Sequence, residues 1–468
     1  MSASTDALLS IPARDDKQRL LFKDEILGSI AEMANVAQFV SFSPDLKQRL
    51  SRVWHYEPNH IFPSPAAAIA ALLKESPEES VNVRSFDPKA PESREFVYGL
   101  RSVEHALGVV ERLARQELHT IVNETVDVED GGVSGVLLGD VVEFAPKDTP
   151  RCVEKPGVAS LPRAIGLRML ETVYGFVPEL DWEPSVRVEF SVHPVRRGVR
   201  HTHTIIWQFE EVGAHAPIAA FSWPNRFSQF IGDKAFGLLV AHLLGAPVPK
   251  TAVIPRWLPP FEFGKTTGTA ETWFRTCPTV QQPGKFTTTS KWVDPFALMH
   301  REDPEGTAIA SVLAQEGVDP LFSGALVITE SGGPLVEGVS GRGDEFMVGR
   351  QGPTDLPNRV RHDVMDLADD LKMTLGPVRM EWVHDGNRAW VVQLHRGAIE
   401  SDGRVIVPGE AARFRRFAVE DGIDAFRAVV EDAKAKGEGI SLVGSVGVTS
   451  HFGDILRRSA VPSRIEPT

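Results

Sequence analysis

The segment 378–394 carries two side chains that together could bind a metal ion. Its centre, His-Asp-Gly-Asn-Arg at 384–388, is a turn sequence between two apolar runs and predicts a β-hairpin. With a three-residue loop, position 379 faces position 393, and Glu381 and Gln393 share one face because side chains alternate along a strand. Two neighbouring oxygen ligands suit an octahedral, partly hydrated Mg²⁺.

Residues upstream of this hairpin could hold a polyphosphate. Lys234 opens a predicted helix directly after a glycine, where a lysine can meet a phosphate as a point charge. Arg275 lies in a turn-like Arg-Thr-Cys-Pro stretch and offers a second cation. Gly284 and Thr288 belong to a segment rich in threonine that could form a lid, offering N–H and hydroxyl groups.

Two further positions extend this set. Gln315 and Glu316 end a predicted strand, where a side-chain amide or the nearby backbone could read the edge of adenine. Glu337 precedes a glycine-rich turn at 338–343. Metal ligands, phosphate cations and a base-reading strand end together indicate a nucleotide site between residues 225 and 400.

The elements that must position these side chains alternate between helices and antiparallel hairpins, which predicts an α/β or α+β fold. The apolar periodicity and the turn residues predict helices at 234–244, 360–375 and 423–436, and strands at 248–255, 309–315, 325–329, 378–383 and 389–394.

The chain also repeats itself at an offset near 191 residues. The matching segments are 38–40 with 229–231, 83–85 with 274–276, 123–124 with 315–316, 134–136 with 323–325, and 187–190 with 379–382. Their shared order and spacing predict two copies of one α/β unit, at roughly 25–215 and 225–400. We therefore divide the chain into domains 1–220, 221–400 and 401–468.

The first copy differs from the second at one important position. It retains Arg84, Glu124 and Glu189, but Ser43 stands where the alignment places Lys234 in the second copy. Since a phosphate cation is missing, the first copy is predicted to be degenerate and the second to carry the nucleotide.

As a set, these motifs resemble the ATP-grasp domain of the phosphoenolpyruvate-synthase and pyruvate-phosphate-dikinase family. The segments that carry the resemblance are 230–234, 247–249, 274–276, 312–316, 323–325, 335–349 and 381–393. It implies tandem ATP-grasp-like units, with ATP and Mg²⁺ as cofactors. The roles implied are phosphate binding by Lys234 and Arg275, a place near adenine for Gln315, and magnesium binding by Glu381 and Gln393.

The sequence departs from the family pattern at two positions. His395 stands where the family usually has an arginine, and Arg396 follows it. Cys277 stands where the family has a second serine after the arginine turn. These departures bear on the phosphate contacts and allow a non-standard phosphoryl acceptor.

The C-terminal piece holds Gly-Val-Thr-Ser-His at 447–451, with Arg457 and Val461-Pro462 after it. This resembles the phosphohistidine signature of the same family and implies that His451 accepts a phosphoryl group, so that one difficult transfer becomes two easier ones. The alternative is a histidine at a helix N-terminus with a structural hydrogen bond, where Thr449 or Ser450 caps the helix.

Composition excludes several classes of protein. The net charge is −13, with no block of Lys and Arg, which argues against nucleic-acid binding. The only cysteines, Cys152 and Cys277, have no CxxC partner and predict neither a zinc site nor a disulfide framework. The first twenty residues lack the apolar core of a signal peptide, and no apolar run is long enough to span a bilayer. We therefore expect a cytoplasmic protein.

Three functions fit these features. The first is an ATP-dependent phosphotransferase in which Arg275 assists and His451 relays the group to a small-molecule acceptor; by the resemblance the nucleotide product is AMP. No barrel domain for pyruvate is expected within 468 residues, so another acceptor is favoured. The second is an ATP-grasp ligase that forms an acyl phosphate and does not need His451. The third is a non-catalytic ATP-binding sensor. The oligomeric state is left open.

Overall fold

A computed structural model describes residues 16–87, 93–149, 157–211, 221–280, 286–330, 333–399 and 404–466. Of the predicted site residues, Gly284 lies outside these ranges, as does Cys152. Among the described residues, none of the helices combines the length and apolar character that a bilayer crossing requires.

Eleven helices are present in the described part of the chain. They are α1 (Asp16–Met33), α2 (Pro65–Glu75), α3 (Val103–Ala114), α4 (Arg163–Tyr174), α5 (Arg226–Ile231), α6 (Asp233–Leu243), α7 (Pro295–Glu302), α8 (Asp344–Met347), α9 (Asn358–Leu375), α10 (Ile423–Lys436) and α11 (His451–Ser459).

The described strands form five sheets. They are β1 (Asn35–Val36), β2 (Phe39–Phe42), β3 (Gln48–Arg52), β4 (Val81–Phe86), β5 (Ser93–Leu100), β6 (His119–Glu124), β7 (Val133–Leu138), β8 (Val141–Pro146), β9 (Ala159–Pro162), β10 (Val186–Arg197), β11 (Thr202–Glu211), β12 (Thr251–Pro255), β13 (Phe261–Phe263), β14 (Thr272–Pro278), β15 (Thr288–Thr289), β16 (Ile309–Glu316), β17 (Phe322–Ile328), β18 (Pro334–Ser340), β19 (Val378–His384), β20 (Ala389–Arg396), β21 (Val405–Val407), β22 (Phe414–Ala418), β23 (Gly439–Val443) and β24 (Ser463–Ile465).

The chain forms two compact units. Unit 1 comprises residues 1–140, 147–154 and 178–217, and unit 2 comprises 141–146, 155–177 and 218–468. Two short segments of the first sequence repeat therefore belong to unit 2, together with the whole second repeat and the C-terminal piece. The predicted join at 213–224 lies largely outside the described residues.

The two units contain the same five-stranded sheet. Its strand order is β3-β2-β6-β4-β5 in unit 1 and β13-β12-β16-β14-β15 in unit 2. The registers also agree, because the partner of Arg84 on β6 lies three residues before Glu124, and the partner of Arg275 on β16 lies three residues before Glu316.

A second shared sheet follows in each unit. Strands β11, β10 and β7 are neighbours in unit 1, as β20, β19 and β17 are in unit 2. Glu189 faces Gln208, Glu381 faces Gln393, and a β-bulge follows the glutamate directly in both pairs. The predicted tandem repeat in an α+β fold is confirmed.

One correspondence within the predicted repeat is wrong. Residues 39–42 form strand β2, whereas 226–231 form helix α5. By strand order, β2 matches β12, so Ser43 is not the counterpart of Lys234. The alignment failed there because both segments carry Gln-Phe followed by a β-branched residue, a pattern that a buried strand and a buried helix turn can share.

The predicted elements of unit 2 are confirmed with shifts of a few residues at their ends. Helix α10 has the predicted bounds; Phe426, Val430 and Ala433 bury its apolar face, and Gly437 ends it in the left-handed conformation (φ 65°). The C-terminal piece forms its own sheet, β21-β24-β23-β22. Its core also includes Val327 of β17, so the piece packs against the second repeat inside unit 2.

Unit 1 contains a buried carboxylate whose titration should be visible in its stability. Burial raises the pKa of Glu124 from 4.5 to about 7, although Gln38 donates hydrogen bonds to it from its backbone N–H (2.6 Å) and its side chain (3.2 Å). Between these two values the folded state binds more protons than the unfolded chain. The free energy of unfolding of unit 1 should therefore fall as pH rises from 4.5 to about 7, by about 3 kcal/mol.

Hydrogen–deuterium exchange of the β6 amides across this pH range measures the effect, after correction for intrinsic exchange rates. Glu124→Gln should flatten the dependence, whereas Glu57→Gln, at an exposed position, should leave it unchanged. An equally steep dependence in Glu124→Gln would assign the effect to another group.

Candidate functional site

The β19–β20 hairpin brings Glu381 and Gln393 directly opposite each other. The loop is one residue longer than predicted, and the bulge after Glu381 shifts the register further, so Arg379 faces His395 rather than Gln393. The expected shared face survives these corrections, since residues two apart on a strand point the same way. Arg379, Glu381, Gln393 and His395 thus form two adjacent rows on one face of the sheet.

The two units treat this glutamate–glutamine pair differently. In unit 1, Arg187 donates a hydrogen bond to Glu189 (2.8 Å) and Arg84 donates one to Gln208 (2.9 Å).

In unit 2 the arginines at the same register positions have other partners. Arg379 forms an ion pair with Asp454 (3.5 Å), and Arg275 donates a hydrogen bond to the carbonyl of Val392 (2.8 Å). Within the described ranges, Glu381 receives no hydrogen bond. The carboxylate of unit 2 thus remains available to a ligand, whereas that of unit 1 is neutralised internally.

Lys234 lies in the first turn of α6 and approaches this pair. Gly232, directly before the helix, has φ 89°, and an added Cβ there would lie 2.5 Å from the Cβ of Cys277. Glycine is therefore needed for the helix to begin against β14, beside Arg275. Burial lowers the pKa of Lys234 and Arg275 lowers it further, while the nearby Glu381 opposes the shift.

Helix α6 also passes close to β20. An added Cβ at Gly237 would lie 2.1 Å from the carbonyl oxygen of Leu394, the neighbour of Gln393. The close approach of helix and strand fixes Lys234 relative to the hairpin. The sequence prediction that Lys234 and Gln393 belong to one site is thus given a physical basis.

A narrow cleft opens beside these residues. Arg275, Gln315, Glu316 and Glu381 line it, together with Trp273. Its volume is about 110 Å³, below the range of about 300–1,000 Å³ usual for ligand pockets. We therefore expect the elements that flank it to separate when a ligand of nucleotide size enters.

The remaining strand-end residues have structural partners. The buried Gln315 side chain donates a hydrogen bond to Thr251 Oγ1 (3.1 Å). Glu316 accepts hydrogen bonds from the backbone N–H of Thr267 (2.8 Å) and the hydroxyl of Thr266 (3.0 Å). Thr288 is exposed and pairs with Arg275 across β14 and β15, which places it beside the cation.

His395, which stands in the family's arginine position, orients Gln393. The Nε2 atoms of Gln393 and His395 are 2.8 Å apart, and His395 Nδ1 lies 3.3 Å from Asp233. Burial alone raises the pKa of Asp233, but hydrogen bonds from His395 and Trp223 hold it below its usual value. A neutral His395 with its proton on Nδ1 fits both contacts. The amide oxygen of Gln393 is then the atom left to ligate a cation.

Glu337 lies in the same row of the sheet as Glu381, because Ala325 pairs with both. Its carboxylate accepts hydrogen bonds from the backbone N–H groups of Val448 (3.2 Å) and Thr449 (2.9 Å) and from the Thr449 hydroxyl (2.7 Å). Glu337 therefore anchors the segment that precedes His451. It does not line the cleft.

Helix α11 begins at His451 and rests on the same sheet face. His451, Asp454 and Arg458 fall at i, i+3 and i+7, which is one side of a helix. Asp454 contacts Arg379, the neighbour of Glu381 on that face. The side of α11 that carries His451 is therefore directed toward the strands that carry Glu381 and Gln393.

Sequence reasoning missed Arg379 and Gln208. Both belong to matching segments or follow them closely, but neither is next to a glycine-rich turn or another motif signal. Gln208 could have been found by continuing the repeat alignment through the second strand of the hairpin. Arg379 was noticed only as a member of the repeat, since its partner Asp454 lies 75 positions later in the chain.

The donor set suits magnesium better than a transition metal. One carboxylate and one amide oxygen fit a hard cation that keeps waters and binds substrate phosphates. Among the described residues, no group of three or more His, Cys, Asp or Glu is placed to hold a metal ion. A cation here would therefore depend on oxygens supplied by a ligand.

Comparison with known proteins gives limited likeness. No protein-family model and no curated protein matches the chain. Three solved structures are similar over part of it. They are D-alanine-D-alanine ligases from Coxiella burnetii (12% identity, TM-score 0.22, 36% of this chain and 47% of that one) and Helicobacter pylori (12%, 0.24, 38% and 55%), and the D-cycloserine synthetase DcsG (16%, 0.24, 42% and 63%).

The chain thus spans about half to under two thirds of the length of these proteins. At such TM-scores the likeness carries no argument about function, which rests on the geometry of unit 2.

Proposed function

We propose that the second repeat, within unit 2, is an ATP-grasp nucleotide-binding domain that holds Mg²⁺–ATP and transfers a phosphoryl group from it. One observation carries this proposal: Glu381 and Gln393 face each other without an arginine partner, next to Lys234 and Arg275. Two oxygen ligands and two cations at one place suit a metal-bound polyphosphate. The register-equivalent pair in unit 1 is closed by its own arginines.

The residues act mainly by positioning and charge. Lys234 and Arg275 hold phosphate oxygens, Glu381 and Gln393 hold the cation, and Asp233 with His395 fixes the orientation of the Gln393 amide. Bound Mg²⁺ supplies charge neutralisation on the phosphates. Phosphoryl transfer requires little covalent help from the protein, so such an arrangement is sufficient for catalysis.

His451 is the first candidate acceptor. Its segment is anchored by Glu337 in the row of Glu381, and its helix contacts Arg379. A neutral ring nitrogen would form a bond to phosphorus while the bond to the bridging oxygen breaks, and the nucleotide leaves with that electron pair. The phosphohistidine would then pass the group to a small molecule.

Direct transfer to a carboxylate is the second candidate, as in a ligase that forms an acyl phosphate. The observation that favours it is the recess lined by Arg379, Arg396 and Arg458 beside the site, since cations suit an anionic acceptor. Both routes require the same bound nucleotide. They differ in the need for His451.

Intact-protein mass spectrometry after incubation with ATP and Mg²⁺ separates the two routes. The carrier route predicts an acid-labile gain of one phosphoryl group in the wild type and in His362→Ala, a surface histidine on α9. The gain should be absent from His451→Ala and Glu381→Ala. Chromatography of the released nucleotide identifies which bond of ATP was broken.

Other outcomes decide between the alternatives. ATP turnover that persists in His451→Ala, with a carboxylate acceptor present, would establish the direct route and exclude the carrier. Stoichiometric ATP binding with neither adduct nor turnover would leave a sensor. Failure of the wild type to bind ATP would refute the proposed function.

A further inference from the structure

A recess separate from the nucleotide cleft lies at one end of the β19–β20 hairpin. Its volume is about 280 Å³, which is close to the lower end of the range of about 300–1,000 Å³ for small-molecule pockets. The residues that shape it are Arg379, Arg396, Arg458, His395, Trp223 and Thr279. The cleft and the recess share no lining residue.

The charges around the recess are predominantly positive. Three guanidinium groups face two carboxylates, Asp233 in the wall and Asp454 behind Arg379. Asp233 is already engaged by Trp223 and His395. Burial lowers the pKa of Arg458, and the neighbouring Arg379 lowers it further, against opposing effects of Asp454 and Asp233. Cations held this close together favour the binding of an anion.

Arg379 offers an unused donor at this place. Its Nη1 atom contacts Asp454, but its Nε atom is buried and makes no hydrogen bond within the described part of the chain. A buried donor without a partner is costly, and a ligand oxygen would satisfy it. The planar fork of arginine suits the two oxygens of a carboxylate or phosphate.

The recess adjoins the candidate phosphoryl-transfer site. Arg379 and His395 face each other two residues along the strands from Glu381 and Gln393, a distance of about 7 Å. A small molecule held by the arginines would therefore have its far end near the metal-binding oxygens. The wall contributed by Trp223 provides an apolar surface for the body of that molecule.

We propose that this recess binds the acceptor of the reaction, a small molecule that carries a carboxylate or phosphate group. This inference rests on the proposed function for its place in the reaction, but the anion site can be tested by itself. Arg379 sets the depth at which the anion binds, and Arg396 and Arg458 contact it from the rim. Neither arginine of the rim touches the cleft.

The test is calorimetric titration of the full chain, saturated with ADP and Mg²⁺ so that the cleft is filled. Succinate and acetate form the carboxylate arm, and glycerol 3-phosphate and inorganic phosphate form the phosphate arm. We expect one arm to bind the wild type and to bind Arg458→Gln about tenfold more weakly or worse, the loss of one charge-assisted hydrogen bond. Arg361→Gln, an exposed arginine of α9, should bind like the wild type.

The affinity for ADP, measured beforehand on each variant, separates the two proposals. Unchanged ADP binding with no anion binding in either arm would overturn the anion site and leave the nucleotide site standing. Equal anion affinity in Arg458→Gln and the wild type would overturn it as well. Loss of ADP binding by the wild type would instead refute the nucleotide site.

Discussion

Glu381→Gln should reduce Mg²⁺-dependent ATP turnover by about 10²-fold or more. The substitution keeps the size of the side chain but removes the only carboxylate of the pair, so the cation loses its charged ligand while the fold is retained. Removal of one preorganised electrostatic group typically costs about 10²–10³ in turnover. The measurement is steady-state nucleotide release as a function of Mg²⁺ concentration, where the half-saturating concentration should also rise.

Glu189→Gln is a matched control within the same molecule. Glu189 occupies the same register position in unit 1, before the same bulge, but Arg187 neutralises it. This variant should therefore lose stability rather than Mg²⁺ response. A loss of turnover equal to that of Glu381→Gln, with unit 1 still folded, would show that the first copy takes part in the chemistry and that our distinction between the units is wrong.

The fold was largely predictable because its signals are local or periodic. Helix α10 could be bounded from its apolar face and from Gly437, and the β19–β20 hairpin from its turn sequence. The tandem repeat was visible from residue spacing, since strands that pair in the same way keep the same separation along the chain. A β-bulge leaves no such signal, so the pairing of Arg379 with His395 could not be anticipated.

The candidate site was predictable as a set of residues but not as a set of contacts. Lys234, Arg275, Glu381 and Gln393 were identified because each lies in a recognisable motif. Glu337 was assigned to the nucleotide, whereas its hydrogen bonds are to Val448 and Thr449. Contacts between residues so far apart in sequence depend on tertiary packing, which one sequence does not encode locally.

Lys234→Met should weaken ATP binding by about 10–100-fold, the range of a lost charge-assisted hydrogen bond. It should also make the free protein more stable at neutral pH. Burial lowers the pKa of Lys234 in the folded state, so the unfolded chain binds this proton more tightly and the charged lysine opposes folding. The two effects have opposite signs, which a merely structural lysine would not produce. Thermal melting and nucleotide titration measure them.

The same pKa shift predicts proton uptake on nucleotide binding. A polyphosphate beside Lys234 favours the charged ammonium and raises its pKa again. Where the free protein holds the lysine partly neutral, binding must therefore take up a proton, and the affinity for ATP should fall as pH rises through the lowered pKa. Calorimetric titrations in buffers of different ionisation enthalpy count the protons exchanged.

Lys234→Arg provides the decisive comparison for this lysine. Arginine keeps the positive charge but does not deprotonate in this pH range, so binding should lose its proton uptake and its pH dependence even where some affinity is retained. If Lys234→Arg takes up as many protons as the wild type, another group titrates in response to the nucleotide. If Lys234→Met binds ATP as tightly as the wild type, the triphosphate does not lie at the N-terminus of α6. The pairing of Glu381 with Gln393 would then have to serve a ligand without phosphates.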